Sequence, residues 1–70
     1  MTERLANRLK ERRAELGLTQ GELAELCTVS RKTINTVENG VFVPSTLLAL
    51  KLGAALGVTV EWLFWIEDQH

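Results

Sequence analysis

Residues Thr19 to Gly40, TQGELAELCTVSRKTINTVENG, decide how this chain folds. Thr19 is a good helix N-cap, and Glu22 stands three residues later, the spacing of a capping box, with Gln20 and Gly21 opening the helix. Leu23, Ala24 and Cys27 share one helical face. Thr28 and Val29 make a turn, and Ser30 caps a second helix whose inward stripe is Ile34 and Val37. Asn39 and Gly40 end it, because both residues tolerate the left-handed conformation that stops helices. Ala24 is small and faces inward, as required where two helices cross steeply and their backbones approach.

The second helix is polar along its outward face. Arg31, Lys32, Thr33, Asn35 and Thr36 are donors or donor-acceptors, and none is acidic. A helix lying in the major groove needs such a face, because base edges and phosphates there offer mostly acceptors. A plain solvated helix has the same composition, so polarity alone does not separate the two readings.

The spacing of the whole stretch goes further. It resembles the helix-turn-helix of the lambdoid phage repressor and Cro family, also called the XRE family, at Gln20, Ala24, Val29, Ser30, Ile34, Val37, Glu38, Asn39 and Gly40. The resemblance extends to LGLTQ at 16–20, to PS at 44–45 and to ALGVTVEWL at 55–63. It implies a reading helix that enters the major groove, with Arg31 and Lys32 reading guanine or nearby phosphate and Thr33 and Thr36 giving shape and methyl contacts. It also implies backbone phosphate contacts from Gln20, Ser30 and Asn39, with Asn35 shared between that role and solvent. Members commonly pair through the last helix and tail. A twofold homodimer would then match a palindromic operator with half-sites roughly 34 Å apart.

Seventy residues make one small domain, 1–70, close to the lower limit for an unstapled core. With 46% hydrophobic and 24% charged residues the chain is globular rather than disordered. A single cysteine excludes an internal disulfide and fits a reducing cytoplasm. No signal peptide or membrane-length apolar run is present in this sequence. Net charge is −1, which does not by itself suggest nucleic acid, but its distribution is uneven. Residues 1–39 carry seven basic and six acidic groups, whereas residues 40–70 carry Lys51 against Glu61, Glu67 and Asp68. A local basic patch can hold phosphate under these conditions, with modest and salt-sensitive affinity.

Around the motif the sequence predicts an all-α, compact five-helix bundle. A first helix runs from Thr2 or Glu3 to Leu16, with Leu5, Leu9 and Leu16 as its stripe and Gly17 as its stop. Arg4, Arg8, Lys10 and Arg12 form a solvated face balanced by Glu3, Glu11 and Glu15. Arg13 falls on the apolar stripe and needs a carboxylate partner; Glu38, four residues after Ile34, is the candidate for a structural ion pair. After the motif at 19–40, Pro44 and Ser45 start a nearly all-apolar fourth helix to Leu56. Thr59 caps a fifth, Val60 to Trp65, and a short charged tail, 66–70, closes the chain.

Four departures from the family pattern matter. Thr28 stands where the family's turn usually carries glycine, so the turn is either strained or rebuilt. Val41 and Val43 replace polar loop residues. Leu47 and Ala54 flank Lys51 on a helix face the family keeps charged. Trp62, Trp65 and Ile66 exceed what a small core can bury. Together Val41, Val43, Leu47, Trp62, Trp65 and Ile66 read as a dimer or partner surface.

Catalysis finds no support. The only histidine is His70 at the chain end, so no Ser-His or Cys-His pair can form. Cys27 reads as core filler, no residues have metal-ligand spacing, and no phosphate-cradling loop exists. No enzyme, metal or cofactor is expected. The rival reading is a protein-interaction module, antitoxin-like, that keeps the fold and binds a protein through its apolar surface.

Overall fold

The spacing of Leu5 and Leu9 predicts one helix from the start of the chain, and the chain instead breaks at Asn7. The computed structural model describes residues 2–69, in the order β1 (Thr2–Asn7), α1 (Leu9–Glu15), α2 (Gln20–Cys27), α3 (Arg31–Glu38), α4 (Thr46–Leu56), α5 (Val60–Leu63) and β2 (Phe64–Gln69). β1 and β2 pair antiparallel, with Leu5 opposite Ile66, Ala6 opposite Trp65 and Asn7 opposite Phe64. The all-α expectation is therefore corrected to five helices plus a two-stranded sheet. The fifth helix stops at Leu63 instead of Trp65, and the predicted tail is strand as far as Gln69; His70 lies outside the described residues.

Two local features favour the strand. FWIEDQ opens with aromatic and β-branched residues, which fit a pleated surface better than a helix. The Asn7 side chain turns the backbone into α1 by accepting the Leu9 N–H at 3.0 Å. The cationic face changes accordingly. Arg4 pairs across the sheet with Glu67 at 2.9 Å, an exposed contact of little energetic weight. Arg8 lies over the rings of both Trp62 and Trp65, 4.9 and 4.6 Å from their centroids. Arg12 donates to the Leu56 carbonyl at 3.0 Å, and Leu16 is exposed rather than packed.

Every helix contributes to one core. Leu9 from α1, Leu23, Ala24 and Cys27 from α2, Ile34 and Val37 from α3, Leu48, Leu52 and Leu56 from α4, Leu63 from α5 and Phe64 from β2 are all buried. Gly53 sits in the largely apolar α4 because the α4–α5 connection passes against it. A Cβ there would lie 2.8 Å from the Val58 carbonyl oxygen, a backbone atom that cannot swing away.

Candidate nucleic-acid interface

The interface is built on α2, a tight turn and α3. At the start of α2, Glu22 N donates to Thr19 Oγ1 at 3.0 Å and Thr19 N donates to Glu22 Oε1 at 2.8 Å, a reciprocal capping box. At its end Thr28 adopts φ 55° and ψ 43°, the left-handed region. A β-branched residue there costs about 1–2 kcal/mol. The Thr28 hydroxyl supplies some compensation: it donates to the Cys27 carbonyl at 2.6 Å and accepts from Lys51 Nζ at 3.0 Å. Lys51, reaching across from α4, thereby places a cation at the negative end of α2. Burial pushes the Cys27 thiol pKa up and the Lys51 charge opposes that shift, so the group remains a thiol inside the core.

These opposing effects give an ordered expectation. Thr28→Gly relieves the backbone strain and raises stability by about 0.5–1 kcal/mol after the entropic cost of glycine. Thr28→Val keeps the strain, loses the hydroxyl contacts and lowers stability by about 1 kcal/mol. Urea denaturation of the three proteins checks the order glycine, wild type, valine; valine matching wild type would show that the Lys51 link contributes nothing.

In α3, Ser30 accepts from Thr33 N at 3.2 Å and shares a hydroxyl contact of 3.0 Å with Thr33 Oγ1. The Thr36 hydroxyl folds back onto the Lys32 and Thr33 carbonyls, at 3.1 and 3.0 Å. Asn39 Nδ2 donates to Asn35 Oδ1 at 3.3 Å. Ser30, Asn35 and Asn39 are exposed, while Thr33 and Thr36 are half-buried. Arg31 and Lys32 are also exposed, and neither has a side-chain partner among the described residues. Of the four proposed base readers, the two cations are thus free to engage a ligand, and the two threonines have their hydroxyls already committed.

The one acid of α3 is withdrawn from this face. Arg13 Nε donates to Glu38 Oε2 at 2.7 Å and Nη2 to Oε1 at 3.3 Å, with the Glu38 side chain 2% and the Arg13 side chain 14% exposed. Arg13 Nη1 also donates to the Leu18 carbonyl at 2.7 Å. Gln20 Nε2 completes the carboxylate's partners, donating to Glu38 Oε1 at 3.0 Å. One Nε2 hydrogen and the Oε1 of Gln20 remain available. Gln20 and Arg31 line the same open cleft at the N-terminus of α2, together with Arg13, Gly17 to Thr19 and Gly21. Amide donors, a guanidinium and a helix N-terminus converging on one cleft form an electropositive seat for an anion.

The proposed partner surface divides in two. Trp65 pairs with Ala6 and Ile66 with Leu5, and adjacent strand residues point to opposite faces. Trp62 and Trp65 therefore stack on Arg8, away from Ile66. Val41, Phe42, Val43, Leu47, Leu50 and Ile66 are all exposed, and Ile66 shares its sheet face with Leu5 and Phe64. Neighbouring clefts connect four of these six, Phe42, Val43, Leu47 and Leu50. One runs from Leu5 and Phe64 to Pro44 and Leu50; another shares Leu5 and Phe64 and reaches Phe42 and Val43; a third shares Phe42 and reaches Leu47 and Lys51 beside Thr33. Sequence reasoning missed Asn7, Phe42, Leu50 and the role of Lys51. Asn7 carries a recognisable signal, an asparagine just before a helix; the Lys51 contact depends on α2 and α4 packing together and leaves no local trace.

Among the described residues no group of three metal-ligating side chains occurs, and no helix is long and apolar enough to cross a membrane. A family model described as Helix-turn-helix matches residues 9–63. The chain is 41% identical over 66 residues to an uncharacterized HTH-type transcriptional regulator, YgzD, of Bacillus subtilis, covering 94% of this chain and 100% of the relative. It is 42% identical over 55 residues to the antitoxin HigA-1 of Vibrio cholerae, covering 79% of this chain but only half of that protein. Among solved structures it is similar to the biofilm master regulator SinR in complex with DNA, at 33% identity and a TM-score of 0.72, covering 77% of this chain and 87% of that one.

Proposed function

This chain belongs to the XRE-type helix-turn-helix family, and from that premise we propose that it binds duplex DNA sequence-specifically as a homodimeric transcriptional regulator, a repressor acting on a palindromic operator. The observation that carries the reading is the outward face of α3. It presents two cations at its start that have no partner among the described residues, while its only acid is buried against Arg13 and Gln20. Arg31 and Lys32 donate to guanine or to adjacent phosphate, and Thr33 and Thr36 offer methyl and shape contacts. Gln20, Ser30, Asn35 and Asn39 hold the backbone and set register. The twofold contact is made by the apolar side formed by Val43, Pro44, Leu47, Leu50 and Ile66. Its central residues carry no charge, so a twofold axis that sets each against its own copy meets no like-charge penalty.

The same apolar side favours a second reading, an antitoxin-like module that docks a protein partner. The similarity to HigA-1 supports that alternative over half of that protein's length.

Selection of bound DNA from a random duplex pool separates the readings. An enriched twofold-symmetric site with half-sites about one helical turn apart is the expected result. A pool that never converges, with no mobility shift at low salt and a clean complex with the product of a neighbouring gene, would replace the regulator with the interaction module.

A further inference from the structure

The side-chain amide of Asn7 joins three elements at one point. Its Oδ1 accepts from Leu9 N at 3.0 Å, opening α1. Its Nδ2 donates at 3.1 Å to the Val37 carbonyl, in the last turn of α3. Its own backbone is the last residue of β1, opposite Phe64 of β2. The orientation of the amide is fixed by its partners, since a peptide N–H only donates and a peptide carbonyl only accepts.

The carbonyls of a helix's last turn have no partner within the helix. In α3 the Val37 carbonyl takes Gly40 N as well as Asn7. The next residue, Glu38, is gripped by Arg13 and Gln20. The rear of the reading helix is therefore held at two successive residues, and Asn7 makes the one hydrogen bond among the described residues that ties it to the terminal sheet, beside the apolar packing of Phe64 in the same core as Ile34 and Val37. This matters because α3 is short. An eight-residue helix is about 12 Å long, so a tilt of about 5° about its rear moves its leading residues by about 1 Å. Hydrogen bonds to base edges tolerate only a few tenths of an ångström, whereas contacts to phosphate through long flexible cations absorb such a shift.

Resting on the base-reading role of α3, we propose that Asn7 is a positioning residue for DNA recognition. It touches no DNA, and it sets the tilt of α3 so that Arg31, Lys32, Thr33 and Thr36 reach base edges in register. Losing the Nδ2 link lowers discrimination between the preferred duplex and any other while leaving phosphate binding alone.

The test is Asn7→Ser. Serine keeps a short acceptor beside Leu9 N, carries no charge, and cannot reach the Val37 carbonyl. The isosteric Asn7→Asp is a second variant; it keeps the α1 contact and puts an oxygen where the donor stood. The probes are a duplex selected by the wild type from a random pool and a scrambled duplex of equal length, measured at a temperature where circular dichroism shows each protein folded. For Asn7→Ser the ratio of selected to scrambled affinity falls about tenfold, with scrambled affinity and its salt dependence as in wild type. Asn7→Asp loses the same ratio even though its added charge also weakens binding to both duplexes. A merely structural role would lower the melting temperature and leave that ratio intact. An unchanged ratio in the folded Asn7→Ser protein overturns the positioning role. If the wild type itself fails to discriminate between the two duplexes, base reading by α3 fails and the role of Asn7 falls with it.

Discussion

Glu38→Ala lowers the unfolding free energy by about 3–5 kcal/mol, enough to leave much of so small a domain unfolded at 37 °C. The carboxylate is almost fully enclosed and holds two donors, Arg13 at 2.7 Å and Gln20 at 3.0 Å. Removing it strands the Arg13 guanidinium, itself largely buried, with only the Leu18 carbonyl as partner among the described residues. The cost is dominated by that orphaned charge, because a buried ion pair gains little over an apolar pair of similar shape. The double variant Arg13→Met/Glu38→Leu is therefore expected to be more stable than Glu38→Ala alone. Thermal and urea denaturation of both variants and of Arg13→Met measures the coupling. Glu38→Ala melting like the wild type would show that water reaches the pair in solution.

Arg31→Ala/Lys32→Ala does the opposite, sparing the fold and removing the function. Both side chains are exposed and neither has a protein partner among the described residues, so the melting temperature stays within a degree or two of wild type, the usual range for surface changes. Each lost contact costs about 1–3 kcal/mol of DNA binding, and the pair together lower affinity for the selected duplex about a hundredfold or more. The single variants separate their roles. Loss of preference at one base position marks a base reader. A uniform loss across sequences with a salt slope shallower by about one marks a phosphate contact. Titration of a labelled duplex at several salt concentrations provides both readings. Full retention of affinity in the double variant would remove α3 from the interface.

The two variants probe different kinds of information. Arg31 and Lys32 are legible as candidates because they lie on a short, acid-free helix face whose limits are set by Ser30 and Asn39. The Arg13–Glu38 contact is legible because a cation on an apolar stripe demands a partner. The fate of Gln20 is only half legible. A resemblance points it toward phosphate, but the amide is shared with Glu38, which leaves one of its two N–H groups for DNA. The proposed partner surface is the least legible. Trp65 and Ile66 look like one patch in the sequence, and the strand turns them to opposite faces.

The chain's own sequence determined α2, the turn, α3 and α4, because caps, stop signals and helical stripes act through hydrogen bonds and contacts within a few residues. Thr19, Ser30, Ser45 and Thr59 each accept the backbone N–H three residues on, wherever the rest of the chain lies. Only the tertiary structure decided that residues 2–7 are strand. Their local pattern suits a helix, and the partner that overrides it, β2, is 57 to 67 positions away, as in the Arg4–Glu67 pair separated by 63 positions. The same is true of Lys51 at the end of α2 and of Asn7 at the end of α3. Each acts through a neighbour that exists only once the helices have packed.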